Sequence, residues 1–193
     1  NATSRSITVS GDVTVLNGAT LINGASNATH QMTVTGNISN NLRPLVNSMI
    51  TSVFNLSRQE MEQEISTGSV ELAISISDPN QPFIVFPPNI PVLFLKFHDI
   101  EGEPGQSDQE IKDDFTKPVV LFSESMAQQV VSFIKTHNTN PSKSQTLFVN
   151  CEMGISRSGA VTWFVKHLLD LDTPVNSRTK PNNRVLSKLM KQQ

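Results

Sequence analysis

The sequence has few of the residues on which many small proteins depend for cross-links and metal sites. Its 193 residues include one cysteine and no tyrosine. An internal disulfide is therefore impossible, and so is regulation through its own tyrosine phosphorylation. The histidines lie far apart and do not have the ligand spacing of a zinc site: His30, His98, His137 and His167. We therefore expect neither a metal ion nor another cofactor, and the single free thiol fits a reducing compartment such as the cytoplasm.

Charge and long apolar runs are also scarce. The formal net charge is −2, which argues against non-specific binding to nucleic acid or to an anionic membrane. No stretch reaches the roughly 18 apolar residues of a membrane-spanning helix. The most apolar region, residues 82–97, is interrupted by three prolines. We expect partners that are neither nucleic acids nor membranes.

The pattern along the chain predicts two parts. Residues 1–45 are polar, with short alternating runs and the turn signals Asn17-Gly18 and Asn23-Gly24. This part is expected to be a β-rich arm that pairs with its own domain, another copy or a different protein. Residues 46–193 alternate strand and helix patterns, which favours an α/β domain with a mostly parallel central sheet flanked by helices. The expected strands are 70–76, 92–97 and 146–149, and the expected helices are 57–65, 123–135 and 182–191.

The single cysteine begins the most informative segment. Cys151 follows the predicted strand, and Arg157 and Ser158 complete the pattern C-x5-R-S. Helical periodicity starts after the arginine, with one apolar face made of Ala160, Val161, Phe164, Val165, Leu168 and Leu169. A strand, a tight loop and a helix N-terminus therefore meet at one thiol and one guanidinium.

Such a loop has the properties of an anion site that contains a nucleophile. Its backbone N–H groups would point inward beside the positive end of the helix dipole, at Glu152, Met153, Gly154, Ile155, Ser156 and Arg157. Gly154 allows a close turn, and Arg157 can bind two oxygens of one phosphate. The same field would favour a thiolate at Cys151, and Ser158 could donate a hydrogen bond to the sulfur. The alternative is a small buried cysteine with an arginine nearby by chance.

Residues 149–159 resemble the signature loop of cysteine-dependent protein tyrosine and dual-specificity phosphatases, especially their compact bacterial and phage-encoded members. Further stretches are similar to the same proteins, at 54–58, 74–79 (ISISDP), 93–100 and 181–186. The resemblance covers roughly residues 51–190 and implies a phosphatase-like α/β fold. One position departs from the family pattern, because Asn150 stands where a histidine usually precedes the nucleophile.

The resemblance implies a metal-independent phosphomonoesterase that acts on phosphorylated protein side chains through a phosphocysteine. Cys151 would be the nucleophile, and Arg157 with the loop amides would hold the phosphoryl oxygens. A carboxylic acid must protonate the leaving oxygen, and Asp99 matches the family position. Three other carboxylates, in the insertion-like stretch 101–117, stay open as alternatives: Asp108, Asp113 and Asp114.

Two other readings stay open. The first is a phosphatase-fold protein with little or no activity that docks through its N-terminal arm into a larger assembly. The phage-like resemblance makes a viral particle one such place. Arsenate reduction or sulfur transfer on a similar loop is a weaker reading, because arsenate reduction commonly needs a resolving thiol that the sequence lacks.

Overall fold

The computed structural model describes residues 9–10, 34–35, 49–139, 143–174 and 176–192. The chain falls into two units, Asn1–Leu45 and Val46–Gln193. In the first unit, β1 (Val9–Ser10) and β2 (Val34–Thr35) pair in parallel. The turns expected at Asn17-Gly18 and Asn23-Gly24 lie outside the described residues. The arm over residues 1–45 and the boundary after it therefore stay predictions.

The second unit contains a four-stranded sheet in which every neighbouring pair is parallel. Its strands are β3 (Met49–Leu56), β4 (Leu72–Ser77), β5 (Val92–Lys96) and β6 (Ser144–Asn150), in the order β3-β6-β4-β5. All six residues of β4 are buried, as expected for an inner strand that is covered on both faces. The predicted mostly parallel central sheet is confirmed.

Helices cover both faces of this sheet. They are α1 (Arg58–Thr67), α2 (Asp108–Asp113), α3 (Glu124–His137), α4 (Arg157–Leu169) and α5 (Asn183–Met190). A large core joins α3, α4 and α5 to one face of the sheet. A smaller core, with Met61 of α1 and Phe148 of β6, lies on the other face. Among the described residues, no helix is long and apolar enough to cross a membrane.

Local sequence signals explain where the helices start. Ser57 and Glu60 form the predicted capping box at α1, and Ser123 caps α3 by accepting a hydrogen bond from the Met126 N–H. Both helices run two residues further than predicted, to Thr67 and His137. The capping interactions confirm that the polar residues before these apolar patterns were helix starts.

The insertion-like stretch 101–117, for which no element was predicted, contains a helix. This helix, α2, begins with a second capping box formed by Ser107 and Glu110. The signal has the same form as the one at Ser57, but only Ile111 of this short helix is buried. The apolar pattern of this helix was too weak to predict it, but its capping residues could have done so.

Candidate active site

The site lies at the carboxyl end of an inner strand. β6 runs between β3 and β4 and ends at Asn150, and the loop from Cys151 to Ser156 leads directly into α4. Parallel α/β sheets commonly bind ligands at this edge. The Cys151 thiol is buried, and its sulfur accepts a hydrogen bond from the Ser158 hydroxyl at 3.0 Å. The predicted contact between these two residues is present.

The carbonyls of the loop are bound to the surrounding protein. Four of them accept hydrogen bonds, those of Glu152, Gly154, Ile155 and Ser156. Their donors are, in the same order, the Arg58 N–H (3.1 Å), the Asn55 side-chain amide (2.8 Å), the Lys180 N–H (3.1 Å) and the Asn182 N–H (3.2 Å). Two separate segments of the chain, 55–58 and 180–182, therefore hold the outer side of the loop.

The loop amides have the opposite orientation. In a trans peptide the N–H points away from the preceding carbonyl. The four bound carbonyls therefore direct the N–H groups of Met153, Ile155, Ser156 and Arg157 away from the packed outer side. In the described part of the chain, no N–H group of residues 152–157 has an acceptor. This leaves a set of free donors at the start of α4, which is suited to hold the oxygens of a tetrahedral anion.

Gly154 is the residue that lets the loop approach the rest of the protein so closely. Its φ is +66°, in the left-handed region. A Cβ added there would lie 2.4 Å from the Ser57 nitrogen and 2.6 Å from the Leu56 carbonyl carbon. Both neighbours are backbone atoms, so they cannot move aside as a flexible side chain could. The loop geometry therefore requires glycine at this position.

The guanidinium of Arg157 is held in place by hydrogen bonds from one of its nitrogens, Nη1. The side chain is 4% exposed, and Nη1 donates to Asp78 Oδ1 at 2.9 Å and to the Phe97 carbonyl at 2.8 Å. Nε lies 3.9 Å from Asp99 Oδ2 and has no hydrogen-bond partner among the described residues. Nη2 likewise makes no hydrogen bond in the described part of the chain. In the described part of the chain, the Nε–Nη2 edge therefore has no hydrogen-bond acceptor, and its geometry suits two oxygens of one anion.

Asp99 lies beside the loop, as the sequence analysis expected of a general acid. Its Oδ1 accepts hydrogen bonds from the Ser156 hydroxyl at 2.8 Å and from the Asn182 side-chain amide at 3.0 Å. Its side chain is 39% exposed, so the carboxyl group can meet a substrate from solvent. A carboxyl group is therefore held between the loop of residues 151–156, called the anion loop below, and the start of α5.

The three alternative carboxylates have other partners. Asp108 forms ion pairs with Arg184 and Lys188 of α5. The remaining two accept hydrogen bonds from glutamines: Asp113 from Gln109, and Asp114 from Gln106. These contacts keep all three with α2 and its surroundings, and none of them bonds to the loop.

Asn150, the departure from the family pattern, makes no hydrogen bond to the thiol. Side chains alternate along β6, so Asn150 shares a face with Phe148, whereas Cys151 belongs to the core cluster of Val149 on the opposite face. Ser75 is the neighbour of Asn150 on β4. Asn150 Oδ1 and Ser75 Oγ are both buried without a hydrogen-bond partner in the described residues. Among the described residues, the sulfur takes its hydrogen bond from Ser158 and not from Asn150.

Sequence reasoning missed three residues that organise the site. Asn55 holds a loop carbonyl, Asp78 holds the guanidinium of Arg157, and Asn182 holds Asp99. Asn55 and Asp78 lie at or just after the carboxyl ends of β3 and β4, where polar residues of a parallel sheet converge. That position was the signal that could have identified them.

The described residues contain no group of His, Cys, Asp and Glu suited to hold a metal ion.

Comparisons with known proteins add little to this geometry. No family model matches the sequence, and no curated protein matches it. Among solved structures, human DUSP28 is similar with a TM-score of 0.39 and 16% identity, over 75% of this chain and 92% of that one. A variant of human DUSP28 gives a TM-score of 0.39 and 15% identity, over 75% and 90%. A likeness this weak carries no argument, so the case for function rests on the site.

Proposed function

We propose that the protein is a metal-independent phosphomonoesterase that acts on phosphorylated protein side chains through a phosphocysteine intermediate. The observation that carries this proposal is the orientation of the backbone carbonyl and N–H groups in the loop around Cys151. Among the described residues, four of its carbonyls are bound on the outside, its amides from 152 to 157 have no acceptor, and the Nε–Nη2 edge of Arg157 adds further donors without a hydrogen-bond partner. A phosphate group that occupied these donors would lie beside the sulfur.

The first chemical step transfers the phosphoryl group to the enzyme. The Cys151 thiolate attacks phosphorus, the S–P bond forms, and the bond from phosphorus to the leaving oxygen breaks. Asp99 supplies the proton that this oxygen takes up. The loop amides and Arg157 bind the three equatorial oxygens throughout the transfer. No metal ion is required, because these donors supply the positive charge.

The second step returns the enzyme to its starting state. Asp99, now ionised, takes a proton from a water molecule that attacks phosphorus. Inorganic phosphate leaves, and the electron pair of the S–P bond returns to Cys151. The Ser158 hydroxyl, 3.0 Å from the sulfur, stabilises the thiolate as it leaves. Ser158→Ala should therefore slow the second step more than the first.

The intermediate provides a direct test of this mechanism. The protein is mixed with p-nitrophenyl phosphate in EDTA and quenched in acid, and its intact mass is measured. Wild type and Ser158→Ala should gain one phosphoryl group, with a larger fraction in Ser158→Ala, whereas Cys151→Ser should gain none. A gain of one phosphoryl group by Cys151→Ser would contradict the proposal. Measurable turnover without this mass gain in any of the three proteins would also contradict it. Peptides with phosphotyrosine, phosphoserine or phosphothreonine would then identify the substrate.

One set of contacts favours a second candidate, a weakly active or inactive phosphatase-fold protein with an interaction role. Two carboxylates approach Arg157, Asp78 at 2.9 Å and Asp99 at 3.9 Å. Negative charge beside the guanidinium opposes the binding of a dianion. Phosphate binding is compatible with both candidates, so turnover is the measurement that separates them. Docking through residues 1–45 into an assembly such as a viral particle is part of this second candidate.

A further inference from the structure

Asn182 connects the anion loop, the candidate acid and α5. The residue is 2% exposed, and each of its four polar groups has a different partner. Its main-chain carbonyl accepts the Leu186 N–H at 3.0 Å, inside α5. Its backbone N–H donates to the Ser156 carbonyl at 3.2 Å, and its side-chain Nδ2 donates to Asp99 Oδ1 at 3.0 Å. Its Oδ1 accepts the Val185 N–H at 3.0 Å, which caps α5. One buried side chain therefore holds both Asp99 and the start of a helix.

The two oxygens of Asp99 have different surroundings. Oδ1 accepts two hydrogen bonds, from Asn182 Nδ2 and from the Ser156 hydroxyl. Oδ2 has no hydrogen bond among the described residues and lies 3.9 Å from Arg157 Nε. The lone pairs of Oδ1 are occupied, so a proton on this carboxyl group is carried by Oδ2. Oδ2 is also the oxygen on the side of Arg157, where a bound phosphate would lie.

From these contacts we propose that Asn182 is a positioning residue for Asp99, which fixes the carboxyl group so that Oδ2 delivers the proton to the leaving oxygen. The inference rests on the proposed function, because it assigns the acid of that reaction. Asn182 also donates to the carbonyl of Ser156 in the loop. The acid and the phosphate-binding loop therefore keep a common anchor, which preserves their relative geometry.

The dependence of the rate on the leaving group tests this role. p-Nitrophenolate leaves readily without a proton, whereas phenolate needs one. Asn182→Ser keeps a residue that caps helices well but lacks the Nδ2 donor. We expect kcat/KM for phenyl phosphate to fall by about 10- to 100-fold, and kcat/KM for p-nitrophenyl phosphate to change by less than about 3-fold. Asp99→Asn should show the same pattern, and the double variant should be no slower than Asp99→Asn with phenyl phosphate.

The neighbouring residue provides the matched control. Asn183 is exposed, and in the described part of the chain its interaction with this region is the hydrogen bond from its backbone N–H to the Glu101 carboxylate. Asn183→Ser keeps that N–H, so it should leave kcat/KM for both substrates unchanged. If Asn182→Ser does not fold, Asn182→Thr also removes the amide donor and keeps a helix-capping hydroxyl without adding a charge, and the same pattern is expected. An equal loss with both substrates, or losses that multiply with Asp99→Asn, would overturn the positioning role while Cys151-dependent turnover persists. Absence of Cys151-dependent turnover would instead overturn the proposed function, and this inference with it.

Discussion

Asn55 and Gly154 are 99 residues apart in the sequence, yet the Asn55 side-chain amide donates a hydrogen bond of 2.8 Å to the Gly154 carbonyl. The same amide donates to the Thr179 hydroxyl at 3.0 Å. An edge strand, the anion loop and the segment before α5 are therefore joined by one buried side chain. The conformation of the loop therefore depends on contacts with these segments as well as on its own sequence.

Gly154→Ala should disrupt the loop. The new Cβ would meet backbone atoms of Leu56 and Ser57 at 2.4–2.6 Å, so the loop must move. A displacement of this kind is expected to lower kcat/KM for p-nitrophenyl phosphate by about 100-fold. Gly68→Ala is the matched control, because Gly68 also has a positive φ (+76°) but nothing lies within 4 Å of an added Cβ.

Both glycine variants should lose stability, by about 1–2 kcal/mol for the left-handed backbone alone, and urea unfolding would measure it. Only Gly154→Ala should lose activity. Equal activity of the two variants would contradict the requirement for glycine in the loop.

Arg157→Lys should lower activity although it keeps the positive charge. Lysine cannot keep the contacts of Nη1 to Asp78 and Phe97 and also present two parallel N–H groups to a phosphate. We expect kcat/KM to fall by about 100- to 1,000-fold. Arg178→Lys is the control, since the Arg178 side chain is 64% exposed and pairs with Glu60. Retention of full activity by Arg157→Lys would show that bidentate binding is unnecessary.

The capping box of α1 should make stability depend on pH. Hydrogen bonds from the Ser57 backbone and side chain, with a smaller effect of Arg178, lower the pKa of Glu60 below 4.5. A carboxyl group with a lowered pKa stabilises the fold above its unfolded value, and this contribution is lost as the pH falls through the folded value. The free-energy difference between wild type and Glu60→Gln, from urea unfolding, should therefore shrink as the pH falls below 4.5.

Two further comparisons check the cause of this pH dependence. Arg178→Gln removes the ion pair but leaves the capping box, so it should keep most of the pH dependence, because the Ser57 hydrogen bonds are the larger cause. A difference between wild type and Glu60→Gln that stays constant through this range would contradict the role of Ser57.

The sequence predicted the features that depend on nearby residues. The capping box at Ser57, the alternating strands and the C-x5-R-S pattern each extend over a few positions, so the parallel sheet and the helix after Cys151 could be predicted from them. The missed contacts depend on strand order instead. Arg157 meets Asp78 and Asn182 meets Asp99 across 79 and 83 residues. The order β3-β6-β4-β5, which brings such segments together, has no local signal in the sequence.

Asn150 is a second case in which the sequence showed the residue but not its surroundings in the fold. The sequence revealed that asparagine stands before Cys151, but it could not reveal which face of the sheet the side chain occupies. In the fold Asn150 is a neighbour of Ser75, away from the thiol. The hydroxyl of Ser158, and not the side chain of Asn150, contacts the thiol.

The most direct test of the central claim is the steady-state hydrolysis of p-nitrophenyl phosphate in EDTA by wild type and by Cys151→Ser. Thermal unfolding of both proteins would establish that each is folded. We expect turnover by wild type that is lost in Cys151→Ser, because serine is a far weaker nucleophile at neutral pH. Equal rates for the two folded proteins, or no turnover by either, would contradict the assignment of Cys151 as the nucleophile of a phosphomonoesterase.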